Sequence, residues 1–347
     1  KQNMSPKNLN ASRKTHKYLL SYLKNNKLLQ IYKKFENSLE LNENFIVAVS
    51  GGPDSLALTY LTKIYSIKKS LNVKYFIIDH KLRKESKSET KEIKKLLKNY
   101  NIDLNVLNWN GVKPTSNIHS KARKKRYDLL INKAHNLNIK NILTAHHIED
   151  LYENFFIRMT RGSGLKGLVS FSKENFTQKI NLLRPLINFK KKDLIYVSSL
   201  IFKFYTQDPS NKNEKFKRAR IRKLINNLKL EGLDENKLLL TIKNLKTSNE
   251  AINFYIKENL KKNSFFNKQK KLYILNIEFF NQPYEVVFRS LNEIIKLIGN
   301  KYYSVRGKKL ESLIFNLKNN DKSSLKLTLG NCVINKVKKT YFIRKEQ

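Results

Sequence analysis

The sequence predicts an α/β fold, an open parallel sheet with helices on both faces, followed by a smaller, mainly helical C-terminal domain with a short β end. Three observations predict it. Strand-like apolar runs alternate with helix-like stretches from residue 45 to residue 145, the order expected of strands joined by crossover helices. The run Phe45-Ile46-Val47-Ala48-Val49 is apolar throughout, as a strand buried on both faces must be. It ends in Ser50-Gly51-Gly52-Pro53-Asp54-Ser55, where two glycines permit a sharp turn and Pro53 suits the first turn of a helix.

The elements follow in order. Residues 14–40 carry apolar positions at helical spacing (Tyr18, Leu19, Tyr22, Leu23, then Leu28, Leu29, Ile31, Tyr32, Phe35) and predict one or two amphipathic helices. After the first strand come a helix over 56–67, a strand over 75–79 and a helix over 86–100. A strand over 104–109, a helix over 116–136 and a strand over 141–145 complete the alternation. A helix beginning near Ile148 and another over 190–202 follow, with Asp208-Pro209-Ser210-Asn211 a turn by composition. Beyond Arg222, helices are expected over 237–266, 283–298 and 308–317, then strands over 325–329 and 341–344 with Cys332 between them. Three segments result: a basic helical extension (1–40), the α/β domain (41–228) and a C-terminal domain (229–347).

Composition narrows the function. With 347 residues, 40% of them hydrophobic and 11% aromatic, the chain can bury a large core and is globular. No apolar run approaches the roughly 20 residues that span a bilayer, so no membrane partner is expected. The first 35 residues hold no acid, but they contain no secretory apolar segment, and a cytoplasmic location is expected. The formal net charge of +42 points to a polyanionic partner, most simply nucleic acid, although the abundance of Lys, Asn and Ile together shows a compositional bias. Arginine is more telling in a lysine-biased chain. Arg123, Arg126, Arg158, Arg161, Arg184, Arg218, Arg220 and Arg222 crowd into one stretch, as phosphate recognition by a planar donor fork would require. The single cysteine, Cys332, excludes cysteine-based zinc sites, iron–sulfur clusters and a paired-cysteine sulfur relay within these residues.

In open parallel sheets ligands sit at the carboxyl ends of the strands. Ser50, His80 and His146 each follow directly on an expected strand, so they should converge on one crevice. The turn Ser50 to Ser55 opens a helix whose first N–H groups and dipole make an anion site. It is neither a Walker A loop, having no Gly-Lys-Ser/Thr, nor a GxGxxG turn. In His146-His147-Ile148-Glu149-Asp150-Leu151-Tyr152-Glu153, a helix from Ile148 puts Asp150 and Glu153 on one face of its first turns. Such a carboxylate pair can hold Mg²⁺ or an incoming amine.

These motifs, taken together, resemble the tRNA(Ile)-lysidine synthetase family of the PP-loop (N-type ATP pyrophosphatase) superfamily. The resemblance spans roughly residues 45–225. Its carriers are Ser50 to Ser55, His80-Lys81-Leu82-Arg83, Ala122-Arg123 with Arg126-Tyr127, His146 to Glu153, Arg161-Gly162-Ser163-Gly164, Arg184-Pro185-Leu186, and Asp208 to Asn211 with the arginines after them. Leu151 and Asn154 depart from the Gln and Thr frequent in the family.

The resemblance implies an adenine nucleotide alpha hydrolase-like fold and a two-step ligation. ATP adenylates O2 of the wobble cytidine in an isoleucine tRNA with anticodon CAU, and the ε-amine of free L-lysine then displaces AMP to form lysidine. Decoding shifts from AUG to AUA and identity from Met to Ile. It further implies that Ser50, Gly51, Gly52, Pro53, Asp54, Ser55 and His80 bind ATP, with Asp54 a partner of Mg²⁺. Asp150 and Glu153 would hold the lysine, and Asp54, Asp150, Glu153 and Arg123 would act in catalysis. Arg83, Arg126, Arg161, Arg184, Arg218, Arg220 and Arg222 would contact phosphate or tRNA, and the C-terminal domain would bind tRNA. A homodimer is compatible with the sequence. Two other readings stay open: a base-thiolating PP-loop tRNA enzyme, disfavoured by the lone cysteine, and a non-catalytic RNA-binding protein on the same scaffold.

Overall fold

Side chains of β1 (Phe45–Val49) divide strictly between two cores, which is why the run had to be apolar throughout. In the computed structural model, which describes residues 6–81, 86–111, 118–171, 174–177, 179–206, 216–300, 305–320 and 324–346, Phe45, Val47 and Val49 face one side of a six-stranded sheet. There they pack with α2 (Asn26–Ser38), α3 (Pro53–Lys69), α4 (Ser86–Lys98) and α8 (Lys191–Phe202), contributing Tyr32, Leu58, Ile93 and Val197 among others. Ile46 faces the opposite side, against Leu130, Ile131 and Ala134 of α5 (Ile118–Asn136).

The strand order is β3-β2-β1-β4-β6-β5, where β2 is Val73–Asp79, β3 Leu104–Asn108, β4 Asn141–Leu143, β5 Glu174–Thr177 and β6 Ile180–Leu183. All neighbours are parallel except β5, which pairs antiparallel with β6 at the edge. The chain steps one way from β1 to β3, then crosses to the other side of β1 for β4. The crevice where that direction reverses lies between β1 and β4, at their carboxyl ends.

Residues 14–40 belong to this core. Leu19, Leu28, Tyr32 and Phe35 are fully buried in it, and Phe35 meets Tyr65 edge-to-face with centroids 6.2 Å apart. The segment expected as an extension, α1 (Pro6–Ser21) and α2, thus supplies one wall of the first compact unit, residues 1–238.

The second unit, residues 239–347, holds more sheet than the expected short β end. After the long helix α10 (Glu235–Asn263), the hairpin β7 (Ser264–Asn267) and β8 (Leu272–Leu275) joins three later strands, β9 (Ser324–Leu329), β10 (Cys332–Val337) and β11 (Thr340–Lys345), in the antiparallel order β7-β8-β11-β10-β9. The β9–β10 turn places Gly330 and Asn331 at φ 65° and 63°, the left-handed pair a two-residue hairpin requires. Cys332 opens β10 rather than lying between strands. It is buried in the unit's core with residues such as Leu291, Ile295 and Ile314 of α11 (Tyr284–Ile298) and α12 (Gly307–Asn319). The helices α6 (Ile148–Met159), α7 (Leu165–Leu168) and α9 (Lys217–Leu230) complete the first unit.

Truncating Phe35 tests whether the N-terminal helices are structural. Phe35→Ala is expected to lower the stability of the first unit by about 3–5 kcal/mol, read from its urea unfolding transition. A shift within experimental error would show that the helices pack on the rest of the first unit without supporting it.

Candidate active site

The turn after β1 is held from both ends. Ser55 Oγ accepts the Ser50 backbone N–H (3.1 Å) and donates to the Gly52 carbonyl (3.0 Å), while the Thr206 N–H donates to the Gly51 carbonyl (3.0 Å). Gly51 sits at φ +82°, and a Cβ there would lie 2.1 Å from Ile93 Cδ1, so only glycine fits both the dihedral and the space. Gly52 is the N-cap of α3, with Pro53 and Asp54 in its first turn. The amides of that turn lack intrahelical acceptors and face the crevice end of the sheet.

His147 is the N-cap of α6. Its backbone N–H donates to Asp150 Oδ2 (3.1 Å), closing a capping box. Its ring then gathers three carboxylates. Nδ1 lies 2.8 Å from Glu149 Oε2, and Nε2 lies 3.5 Å from Asp54 Oδ2 and 3.6 Å from Asp150 Oδ2. Burial alone would lower the pKa of this imidazole, but the bonds to Asp54 and Glu149 and the charge of Asp150 outweigh it and raise it to about 10. Burial acts to raise the pKa of Asp150, yet His147, His146 and Arg218 bring it below the ordinary carboxylate value. Glu149 also accepts the Lys191 N–H at the start of α8 (3.0 Å).

His146 behaves in the opposite way. Burial, aided by Arg123, Arg184 and Arg218 against the pull of Asp150, lowers its pKa to about 3 and leaves the ring neutral near pH 7. Its Nδ1 lies 2.9 Å from the Thr144 hydroxyl, and the ring meets Phe171 edge-to-face. The Arg184 guanidinium lies over the same Phe171 ring, 4.8 Å from its centroid. Arg184 follows directly on β6, so it reaches the crevice as the last residue of the strand series. His80, after β2, accepts a hydrogen bond from Arg126 Nε (3.3 Å), and burial with that arginine lowers its pKa to about 4. Arg123, one turn before Tyr127 on α5, donates to its hydroxyl (3.3 Å).

Glu153, expected with Asp150 to hold the lysine, is engaged by arginines of α9. It is 2% exposed, and Arg222 Nε of α9 donates to its Oε1 at 2.5 Å, with Arg218 Nε 3.9 Å from Oε2. A buried carboxylate needs such a partner, because an unpaired one costs several kcal/mol. Arg218 and Arg222, expected to reach phosphate or tRNA, are four apart and share the helix face that meets Glu153. Arg220, two residues on, lies on another face and is exposed, as is Arg161 in the turn after α6. Arg83 and Asp208 to Asn211 lie outside the described residues. Sequence reasoning passed over Glu149 and the bridging position of His147. The spacing His147-x-Glu149-Asp150 at a helix start was the available signal, since an N-cap residue and acids in the first turn belong together.

An open parallel sheet with a Ser-Gly-Gly-Pro-Asp-Ser turn at its switch point and a carboxylate-bearing helix beside it defines a PP-loop nucleotide-binding protein. Comparison with known proteins agrees. The ATP_bind_3 family model, a PP-loop domain, matches residues 22–228. The tRNA(Ile)-lysidine synthase of Rickettsia felis is 32% identical over 329 residues, covering 91% of this chain and 74% of that protein. That of Wolbachia pipientis is 32% identical over 88% of this chain and 71% of its own length. The Orientia tsutsugamushi protein of the same name is 38% identical over 192 residues, 55% of this chain and 43% of that one. Among solved structures, a U34-tRNA thiolase from Methanococcus maripaludis superimposes with a TM-score of 0.56 at 14% identity, over 65% of this chain and 79% of that one, a likeness of fold. The chain belongs to the PP-loop family and, within it, to the tRNA(Ile)-lysidine synthase family.

Gly51→Ala is the sharpest probe of the turn. It is expected to weaken pyrophosphate binding, measured calorimetrically, by roughly tenfold or more with circular dichroism unchanged. Unaltered affinity would remove the phosphate role from this turn.

Proposed function

We propose that this protein joins lysine to the wobble cytidine of a CAU-anticodon isoleucine tRNA, using ATP and releasing pyrophosphate and AMP. The observation that carries the reading is the approach of Asp54, in the phosphate turn, to Asp150, on the amine-binding helix, across one imidazole. Activation and acceptor chemistry thereby share one crevice. In the first step cytidine O2 attacks the α-phosphorus of ATP, and the bond to pyrophosphate breaks. In the second, the lysine ε-amine bonds to C2, the C2–O2 bond breaks, AMP departs and the amine loses a proton.

The amides of the turn from Ser50 to Ser55 hold the phosphates, and the arginines Arg123, Arg126 and Arg184 around the crevice balance the charge that gathers on the departing pyrophosphate. The Nδ1 of His80 is buried and meets no hydrogen-bond partner among the described residues, which suits a contact to the nucleotide. Asp54 Oδ1 is likewise buried without a partner among the described residues, as a carboxylate oxygen awaiting a cation would be. Among the described residues no cluster of three or more His, Cys, Asp or Glu could cage a metal. Asp54 is the residue that would hold Mg²⁺ here, and the ion would supply charge neutralisation at the leaving group.

Asp150 receives the lysine ammonium through Oδ1, its Oδ2 being taken by His147. Glu153 shares that helix face and contributes to the lysine site together with the arginine pair that it holds in place. The second unit serves tRNA. Its helix α10 exposes Phe254 and Tyr255 beside Lys257 and Lys261, and aromatic rings set among cations suit unstacked bases and backbone phosphates. Base thiolation finds no support, since Cys332 is buried and donates to the Ile295 carbonyl (3.4 Å). No described helix is long and apolar enough to cross a membrane.

The direct test incubates the protein with ATP, Mg²⁺, labelled lysine and unmodified isoleucine tRNA bearing CAU. Label is expected in the tRNA; none, with folded protein, overturns the proposal. Asp150→Asn is expected to spare adenylation of the tRNA and to slow lysine transfer by about 10²-fold. Equal loss in both steps would refute the role given to Asp150.

A further inference from the structure

We propose that His147 is a positioning residue that ties the ATP-activating and lysine-accepting halves of the site into one unit, with Glu149 as the group that orients its ring. The proposal rests on the reading of the crevice as an ATP and lysine site, and goes beyond it by naming what couples the halves. The geometry is that of a branch point. One ring nitrogen is held by Glu149 at 2.8 Å, which turns the other toward Asp54 and Asp150 at nearly equal distances of 3.5 and 3.6 Å. Glu149 cannot swing freely, because its other oxygen takes the first amide of α8. The peptide between them is fixed as well: the Ile148 N–H donates to the Phe189 carbonyl (3.1 Å).

Three helix starts therefore meet at one imidazole: α3 through Asp54, α6 through the capping box, and α8 through Glu149. Each of the three carboxylates around the ring stands in the first turn of a helix, where the dipole favours an acid. The consequence is positional. Asp54 and Asp150 are acids from different elements that would repel each other if nothing stood between them. His147 stands between them and sets their separation, so a displacement of the ring shifts both carboxylates. A group that merely capped α6 would have no reason to reach Asp54.

His147→Asn discriminates between the two roles, because asparagine is a strong N-cap and preserves the start of α6, but is too short and uncharged to hold Asp54 and Glu149 at once. The experiment uses the full chain with CAU-anticodon isoleucine tRNA. It measures the KM for lysine in the transfer step and the KM for ATP in the adenylation step. The dissociation constant for Mg²⁺-ATP is taken separately by equilibrium dialysis. The expected result is a rise on the order of tenfold in both KM values and in the dissociation constant, at an unchanged melting temperature. Glu149→Gln, which retains an acceptor for the Lys191 N–H, is expected to shift both KM values in the same direction by a smaller factor.

An effect confined to one substrate, or none on either, overturns the coupling. Loss of activity that tracks only a fall in melting temperature in both variants also overturns it, by reducing His147 to a structural cap. Should the unaltered protein fail to ligate lysine while binding ATP normally, it is the functional reading that fails; the dialysis measurement then still reports whether His147 supports the ATP side.

Discussion

An imidazole enclosed by Asp54, Glu149 and Asp150 is the interaction on which the site depends. Each acid sits in the first turn of a helix, where it is favoured by the local dipole. Their convergence follows from the strand order, since only a reversal between β1 and β4 brings the starts of α3 and α6 to the same crevice. The same cluster separates two histidines that adjoin in sequence. His147 is charged because acids surround it; His146, one residue earlier, faces arginines and stays neutral.

Around this cluster the arginines divide into two groups. Arg123, Arg126 and Arg184 line the neutral-histidine side, where Arg123 donates to the Tyr127 hydroxyl, Arg126 to His80, and Arg184 lies over the Phe171 ring. Arg218 and Arg222 are turned inward to Glu153. In a chain with formal charge +42, acids are scarce enough that their placement carries weight. Four of them, Asp54, Glu149, Asp150 and Glu153, meet cationic partners at or beside the crevice.

Much of the fold could be read in advance, for definable reasons. β1 and β2 were legible because burial on both faces demands unbroken apolar runs, α4 because its apolar positions recur at helical spacing, and α3 and α5 because the alternation requires a crossover helix between parallel strands. The hairpin of β5 and β6 was not, because Ile180-Asn181-Leu182-Leu183 is too short to stand out from a loop and acquires its strand character by pairing with β4. The same holds for β7 and β8, whose place in the second sheet is set by pairing with β11, some 70 residues away. In the site, Ser50 to Ser55 and the Asp150/Glu153 spacing were readable as local geometry. The pairing of Glu153 with Arg222 was not, being a contact between helices 69 residues apart.

The sequence by itself determined the turn at Gly51, the helix that begins at Pro53 and the facing of Asp150 and Glu153, because each depends on dihedral preference or on periodicity within a few residues. Tertiary structure decided which charges meet. Whether a carboxylate stays open or is neutralised, and whether a histidine is cationic or neutral, depends on burial and on partners supplied by distant segments. Glu153 closed upon Arg222 and His147 bridging Asp54 to Asp150 are therefore properties of the folded chain, set by electrostatics that no local window of residues contains.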